Sequence, residues 1–191
     1  MYEVLSIGEA LMDFIPLNPE NIDGRSAEDS EGAEENSVPA NVQNTAPVFE
    51  QTVGGSPANV ACALARLGVK TGFVGKVGDD SMGQRVKKVL DECGVDTSNM
   101  ILDADLRTPV AVVHRMDGKK TFTFYRGVHT ADTHFEEDEI DDEIFDDCKV
   151  FNFSSFPLSR EPSRSTVLNA VVKAKESGAR ITFDPNIRLS I

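Results

Sequence analysis

Short apolar runs alternate along this chain with longer stretches in which apolar positions recur at helical spacing. VLSIG, at 4–8, ends on a glycine and reads as a buried parallel strand, with a second extended piece, MDFIP, at 12–16. A helix is predicted from Ser56-Pro57, with Ser as N-cap, Pro in the first turn and an end at Gly68. Its sequence, PANVACALARLG, is so poor in polar residues that burial on most sides is expected. TGFVGKVG gives the next strand, and SMGQRVKKVLDECG an amphipathic helix that turns Val86, Val89 and Leu90 inward and stops at Gly94. Further along, KVFNFSSF reads as a buried strand and RITFDP as one more strand, on either side of a helix that ends at Gly178. Strands alternating with helices predict an α/β domain built on a largely parallel sheet.

Two stretches break this alternation. In VAVVHRMDGKKTFTFYRG, two β-prone runs flank Asp117-Gly118, which predicts a tight hairpin. With MDFIP it would make a small separate sheet, strands at about 12–16, 109–115 and 121–126. Residues 18–50 are rich in Glu, Asp, Asn, Ser and Pro with few large apolar side chains, and are expected to form a flexible acidic insert.

Charge narrows the function classes. The chain carries 19 Lys and Arg against 32 Asp and Glu, a net −13, which disfavours a nucleic-acid or anionic-membrane binder. Tracts 18–50 and 132–147 hold −7 and −10 of that total, so the rest carries +4 and can accept an anionic ligand. Both tracts are expected to be solvated surface. Cys62, Cys93 and Cys148 form no CxxC pair and read as reduced thiols, the first two as small core residues, which fits a cytoplasmic protein. His114, His129 and His134 have no metal-site spacing with them. No apolar run approaches a membrane span, and the N-terminus lacks a basic region and a cleavage site.

In an open parallel sheet, ligands bind beyond the carboxyl ends of the strands, and four features fall there. Asp13 could accept hydrogen bonds from two hydroxyls of a polyol. Gly54-Gly55 ahead of a helix start allows close backbone approach, with Asn59 one turn inside offering donor and acceptor. Phe124 and Arg126 alternate onto one face of the hairpin, able to cover a sugar or an anion. Asp184-Pro185-Asn186 and Arg188 cluster after the last strand. A GxxxxGK[ST] loop, a GxGxxG fingerprint, a GxSxG elbow and an HExxH pair are all lacking.

VGGSPANVACALARLGVKTGFVGKVGDDSMG closely resembles the N-terminal signature of the ribokinase-like (PfkB-type) carbohydrate kinases. IGEALMDFIP, FTFYRGVHTAD and DPNIR are similar to the fructokinase branch. The resemblance implies a three-layer α/β/α domain with a small β-sheet lid, phosphorylating a sugar hydroxyl with ATP and Mg²⁺, most specifically D-fructose to fructose 6-phosphate. By position, Asp13 would bind sugar hydroxyls and Gly54, Gly55 and Asn59 would line the sugar pocket. Phe124 and Arg126 would close from the lid, Arg188 would reach the substrate, Asn186 the nucleotide phosphates, and Asp79 and Asp80 would serve as helix caps. The lid also leaves room for a homodimer formed through it.

In the family the general base and the anion hole belong to a C-terminal Gly-Ala-Gly-Asp motif, which residues 1–191 do not contain. The chain is therefore expected to be the N-terminal part of such an enzyme, inactive alone, with no catalytic residue of its own. The strand RITFDP would be left as an apolar sheet edge. Two alternatives stay open: a 2-keto-3-deoxygluconate kinase using Arg126 and Arg188 as carboxylate partners, and a non-catalytic sugar-binding or regulatory protein. A nucleotide-binding oxidoreductase is disfavoured by the missing glycine fingerprint.

Overall fold

The computed structural model describes residues 2–17, 48–116, 119–146 and 148–187. Most of the expected acidic insert, the Asp117-Gly118 turn and Arg188 lie outside the described residues. Five parallel strands form the main sheet: β1 (Tyr2–Ile7), β4 (Thr71–Gly78), β5 (Met100–Asp103), β8 (Cys148–Ser154) and β9 (Arg180–Asp184), in the order β5-β4-β1-β8-β9. The second sheet, ordered β3-β2-β6-β7, comprises β2 (Leu11–Pro16), β3 (Phe49–Gly54), β6 (Val110–Met116) and β7 (Lys119–Tyr125).

Among the described residues, three α-helices flank the sheets: α1 (Ser56–Arg66), α2 (Ser81–Glu92) and α3 (Ser163–Glu176). The two-residue period of the strands sorts side chains onto two faces. Phe73 and Val77 of β4 pack with Ala58 and Ala61 of α1 and Val86 and Leu90 of α2, whereas Val74 joins Leu5, Ile7, Phe151 and Phe153 beneath Val167, Ala170 and Ala174 of α3. The result is three layers, α/β/α, with the small sheet to one side. Among the described residues no helix is long and apolar enough to cross a membrane.

Several expectations need correction. Phe49 and Glu50, assigned to the insert, begin β3, which pairs antiparallel with β2 from Leu11↔Gly54 to Pro16↔Phe49. β5, only four residues long, was not expected at all. The acidic tract 132–147 is not simply solvated: short 3₁₀ turns carry Phe135 and Phe145 into the core. The tract is also pinned by the buried Lys76, whose Nζ lies 2.7 Å from Glu139 and 2.9 Å from Asp103 and donates to the His134 carbonyl. Helix α1 buries one face, Pro57, Ala58 and Ala61, and leaves Asn59, Ala63 and Arg66 exposed, because the sheet covers it on one side. Ser56 is not its N-cap; Gly55 is, with no side-chain cap. Asp80 does cap α2, accepting from the Met82 and Gly83 N–H groups, while Asp79 instead accepts from the Gln84 side chain.

Strand β9 is the outer strand of the main sheet, paired with β8 alone among the described residues, with Phe183 48% exposed. Parallel pairing aligns the ends of β1, β8 and β9, Ile7↔Phe153 and Ser154↔Asp184. At that end the chain passes from the main sheet to the small one through Gly8–Ala10, and from the small sheet into α1 through Gly54–Gly55.

Candidate functional site

A cavity of about 400 Å³ opens where the two sheets meet, a volume in the range of small-molecule sites. Asp13 enters it from β2, half-buried, and burial raises its carboxyl above the usual range. Gly54 does not line the cavity but makes room for that carboxylate: a Cβ there would stand 2.1 Å from Asp13 Oδ2. Gly55 does line it, at φ +105°, where L side chains are strained, and a Cβ would fall 2.3 Å from the Glu9 carbonyl oxygen. This close approach sets the start of α1 against the β1–β2 crossing, and Asn59, one turn further, lines the wall.

The ends of the other strands close the frame. Asp184 Oδ2 accepts from the Ser56 hydroxyl at 2.6 Å and Oδ1 from the Asn186 N–H at 3.1 Å, which draws the β9 end to the start of α1. Asn186, at φ 35°, lines the same cavity. From the small sheet come Phe122 and Phe124, stacked at 5.9 Å, and Phe124 meets Phe156 edge-on at 5.5 Å. Aromatic faces on one side and carboxylate and amide groups on the other suit a polyhydroxylated ligand.

Arg126 behaves differently from its expectation. Its side chain is 5% exposed, ion-paired to Asp132, and donates to the Ser159 hydroxyl at 3.2 Å and the Phe156 carbonyl at 3.1 Å, with its guanidinium 4.5 Å from the Phe156 ring centroid. It is not among the cavity-lining residues; it braces Phe156 from behind.

Sequence reasoning missed six members of the wall, Leu11, Ser56 and Val60 among them. Glu9, Phe122 and Phe156 all line the cavity. Glu9 was legible as an acid set inside the apolar run VLSIGEALM, directly after a strand-ending glycine. It is 2% exposed; Oε1 accepts from the Ser56 N–H at 3.0 Å and Oε2 from the Ser154 hydroxyl at 2.7 Å.

A family model described as pfkB family carbohydrate kinase matches residues 1–191. The chain belongs to this family. It is 38% identical over 189 residues to Probable fructokinase-4 of Arabidopsis thaliana, covering 98% of this chain and 52% of that protein. A fructokinase from Xylella fastidiosa, solved with bound ATP, superposes with a TM-score of 0.79 at 29% identity, over 100% of this chain and 51% of that one. A fructokinase from Vibrio cholerae O395 with fructose, ADP and potassium ion bound gives a TM-score of 0.74 at 28% identity, over 100% of this chain and 52% of that one. The chain thus spans about half the length of these fructokinases, and its two-sheet α/β architecture is the ribokinase-like fold of the family.

Proposed function

We propose that this chain carries the sugar-binding half of an ATP-dependent fructokinase, which transfers the terminal phosphoryl group of ATP to a hydroxyl of D-fructose, giving fructose 6-phosphate. Asp13, given room by Gly54, takes two sugar hydroxyls, Asn59 a third, and Gly55 lets the backbone approach. Phe124 covers the ring from the small sheet, which acts as a lid and dries the site for phosphoryl transfer. Asn186 reaches the nucleotide phosphates; Arg188, expected on the substrate side, lies outside the described residues. Mg²⁺ would be carried on the nucleotide's phosphates rather than in a protein cage. The base and anion hole are supplied from outside residues 1–191, so the chain alone does not turn over. The reaction is one of the cytoplasm.

The observation that carries the choice of sugar is the charge of the wall. Glu9, Asp13 and Asp184 line the cavity, no Lys or Arg does so among the described residues, and the Arg126 guanidinium is already held by Asp132, Ser159 and the Phe156 carbonyl. A neutral polyol meets hydrogen-bond acceptors there; an acid sugar would bring its carboxylate against like charge. Among the described residues, this disfavours 2-keto-3-deoxygluconate. Competition in the full-length gene product tests the choice: fructose is expected to be phosphorylated without inhibition by the keto-acid. Preferential turnover of the keto-acid would reverse the assignment, and fructose binding without phosphorylation would favour a sugar-binding protein.

A further inference from the structure

Glu9 has no part in the sugar contacts proposed above, yet a carboxyl buried this deeply is costly unless it is partnered. Both of its partners are structural ends. The Ser56 N–H is one of the first-turn donors of α1 that no intrahelical carbonyl can satisfy, and the Gly55 cap offers no side chain to it. Ser154 closes β8 and is itself wholly buried. Glu9 therefore acts as a cap from outside the helix, tying the start of α1 to the end of β8. Ser56 extends the run through its hydroxyl to Asp184, so hydrogen bonds from Ser154 through Glu9 and Ser56 to Asp184 frame the cavity along one side.

We propose that Glu9 is a positioning residue for the sugar site: its ionised carboxylate holds the first turn of α1 so that Ser56 and Asn59 face the ligand, and its protonation loosens that hold and weakens sugar binding. The inference rests on the sugar-binding reading of the cavity. Burial pushes the Glu9 carboxyl up to about 7, against the downward pull of the Ser154 and Ser56 donors and of the Arg126 charge, so both forms are populated near neutral pH. The charged groups around it are Arg126 with its partner Asp132 beyond β7, Asp13 on β2 and Asp184 on β9; α1 and β8 present only neutral Ser56, Asn59 and Ser154 to the site. A charge-assisted hydrogen bond is roughly twice as strong as a neutral one, so protonation weakens the tether without cutting it.

Glu9→Gln keeps an acceptor for the Ser56 N–H and removes the charge, which makes it a copy of the protonated form. Calorimetric titration of D-fructose into the full-length gene product, without nucleotide, tests this. In the wild type the Kd is expected to fall by about fivefold as pH rises through the Glu9 titration. Across the Glu9 titration, Glu9→Gln should hold the wild-type low-pH Kd, and Glu9→Ala should bind at least about tenfold more weakly. A Glu9→Gln protein that keeps the wild-type pH dependence, or a Glu9→Ala protein that binds as the wild type does, would overturn the proposal. The Ser56 amide resonance gives a second reading that needs no sugar: it should titrate near neutral pH in the wild type and not in Glu9→Gln. A titrating amide in a protein that ignores fructose would sink the sugar reading alone; an amide that does not move would sink the role of Glu9.

Discussion

Replacing Gly54 by alanine should abolish sugar binding while leaving the fold nearly intact. The added methyl would lie 2.1 Å from Asp13 Oδ2 and 2.8 Å from its Cγ, with Leu11 Cδ1 at 3.1 Å. The nearest atoms are the tip of a half-buried side chain, so the carboxylate swings aside and the backbone stays, at a stability cost of about 1 kcal/mol, the low end for overpacking. Function suffers more. Each hydrogen bond from a sugar hydroxyl to a carboxylate is worth about 1.5–3 kcal/mol, so misplacing an acceptor of two costs about 3–6 kcal/mol. That corresponds to a Kd for fructose raised by about 10²–10⁴. Titration calorimetry on the full-length gene product, beside urea denaturation, separates the two effects. Because the methyl acts through Asp13, Gly54→Ala and Asp13→Ala should not add: the double variant binds no more weakly than the worse single one. Fructose binding within a few-fold of wild type in Gly54→Ala, or fully additive losses, would show that Gly54 does not act through Asp13.

Other consequences follow from the same geometry. The folded state keeps a proton on Glu9 that the unfolded chain releases, so this group's stabilising contribution is full below about pH 4.5 and is lost as pH rises to about 7, a fall of about 3 kcal/mol. Denaturation midpoints across that window should show the slope in the wild type and not in Glu9→Gln; parallel curves would contradict the burial of this carboxyl. Arg126→Met strands Asp132 in the interior and should destabilise by about 3–5 kcal/mol, with fructose affinity of the molecules that remain folded lowered by no more than the about fivefold that Glu9 protonation costs. Lost binding at unchanged stability would instead put the guanidinium on the ligand. The 191-residue chain, with β9 paired on one side only and Phe183 exposed, should self-associate with rising concentration in sedimentation velocity, and a stable monomer throughout would show that the edge is protected.

The parallel α/β frame was legible because its signals are local and strong. Eight of eight positions in β4 are buried, and TGFVGKVG reads as such a strand on sight. The inward positions Val86, Val89 and Leu90 follow from helical spacing alone, and all three pack in one core cluster. What escaped was decided by long-range contacts. FEQTVG has the polar character of the acidic tract before it and becomes β3 only because β2 supplies an edge. The tract 132–147 looks solvated until Lys76, from a distant strand, neutralises Glu139 and Asp103 and lets Phe135 and Phe145 reach the core. At the site, Asp13, Gly55, Asn59, Phe124 and Asn186 could be picked out and do converge on one cavity. Arg126 was placed on the ligand because alternation along β7 cannot reveal that Asp132 claims it.

Residues 1–191 are proposed to bind the sugar, with the base and anion hole outside them. This is tested most directly by a coupled ADP-release assay with ATP, Mg²⁺ and D-fructose, run on the 191-residue chain beside the chain extended through any in-frame sequence that follows it. Fructose-dependent ADP release by the extended protein, and none by residues 1–191, is the predicted result. Robust turnover by the 191-residue chain would contradict it and would turn attention to Glu9 and Asp13, the two carboxyls in the cavity wall that burial raises, as candidates for the base.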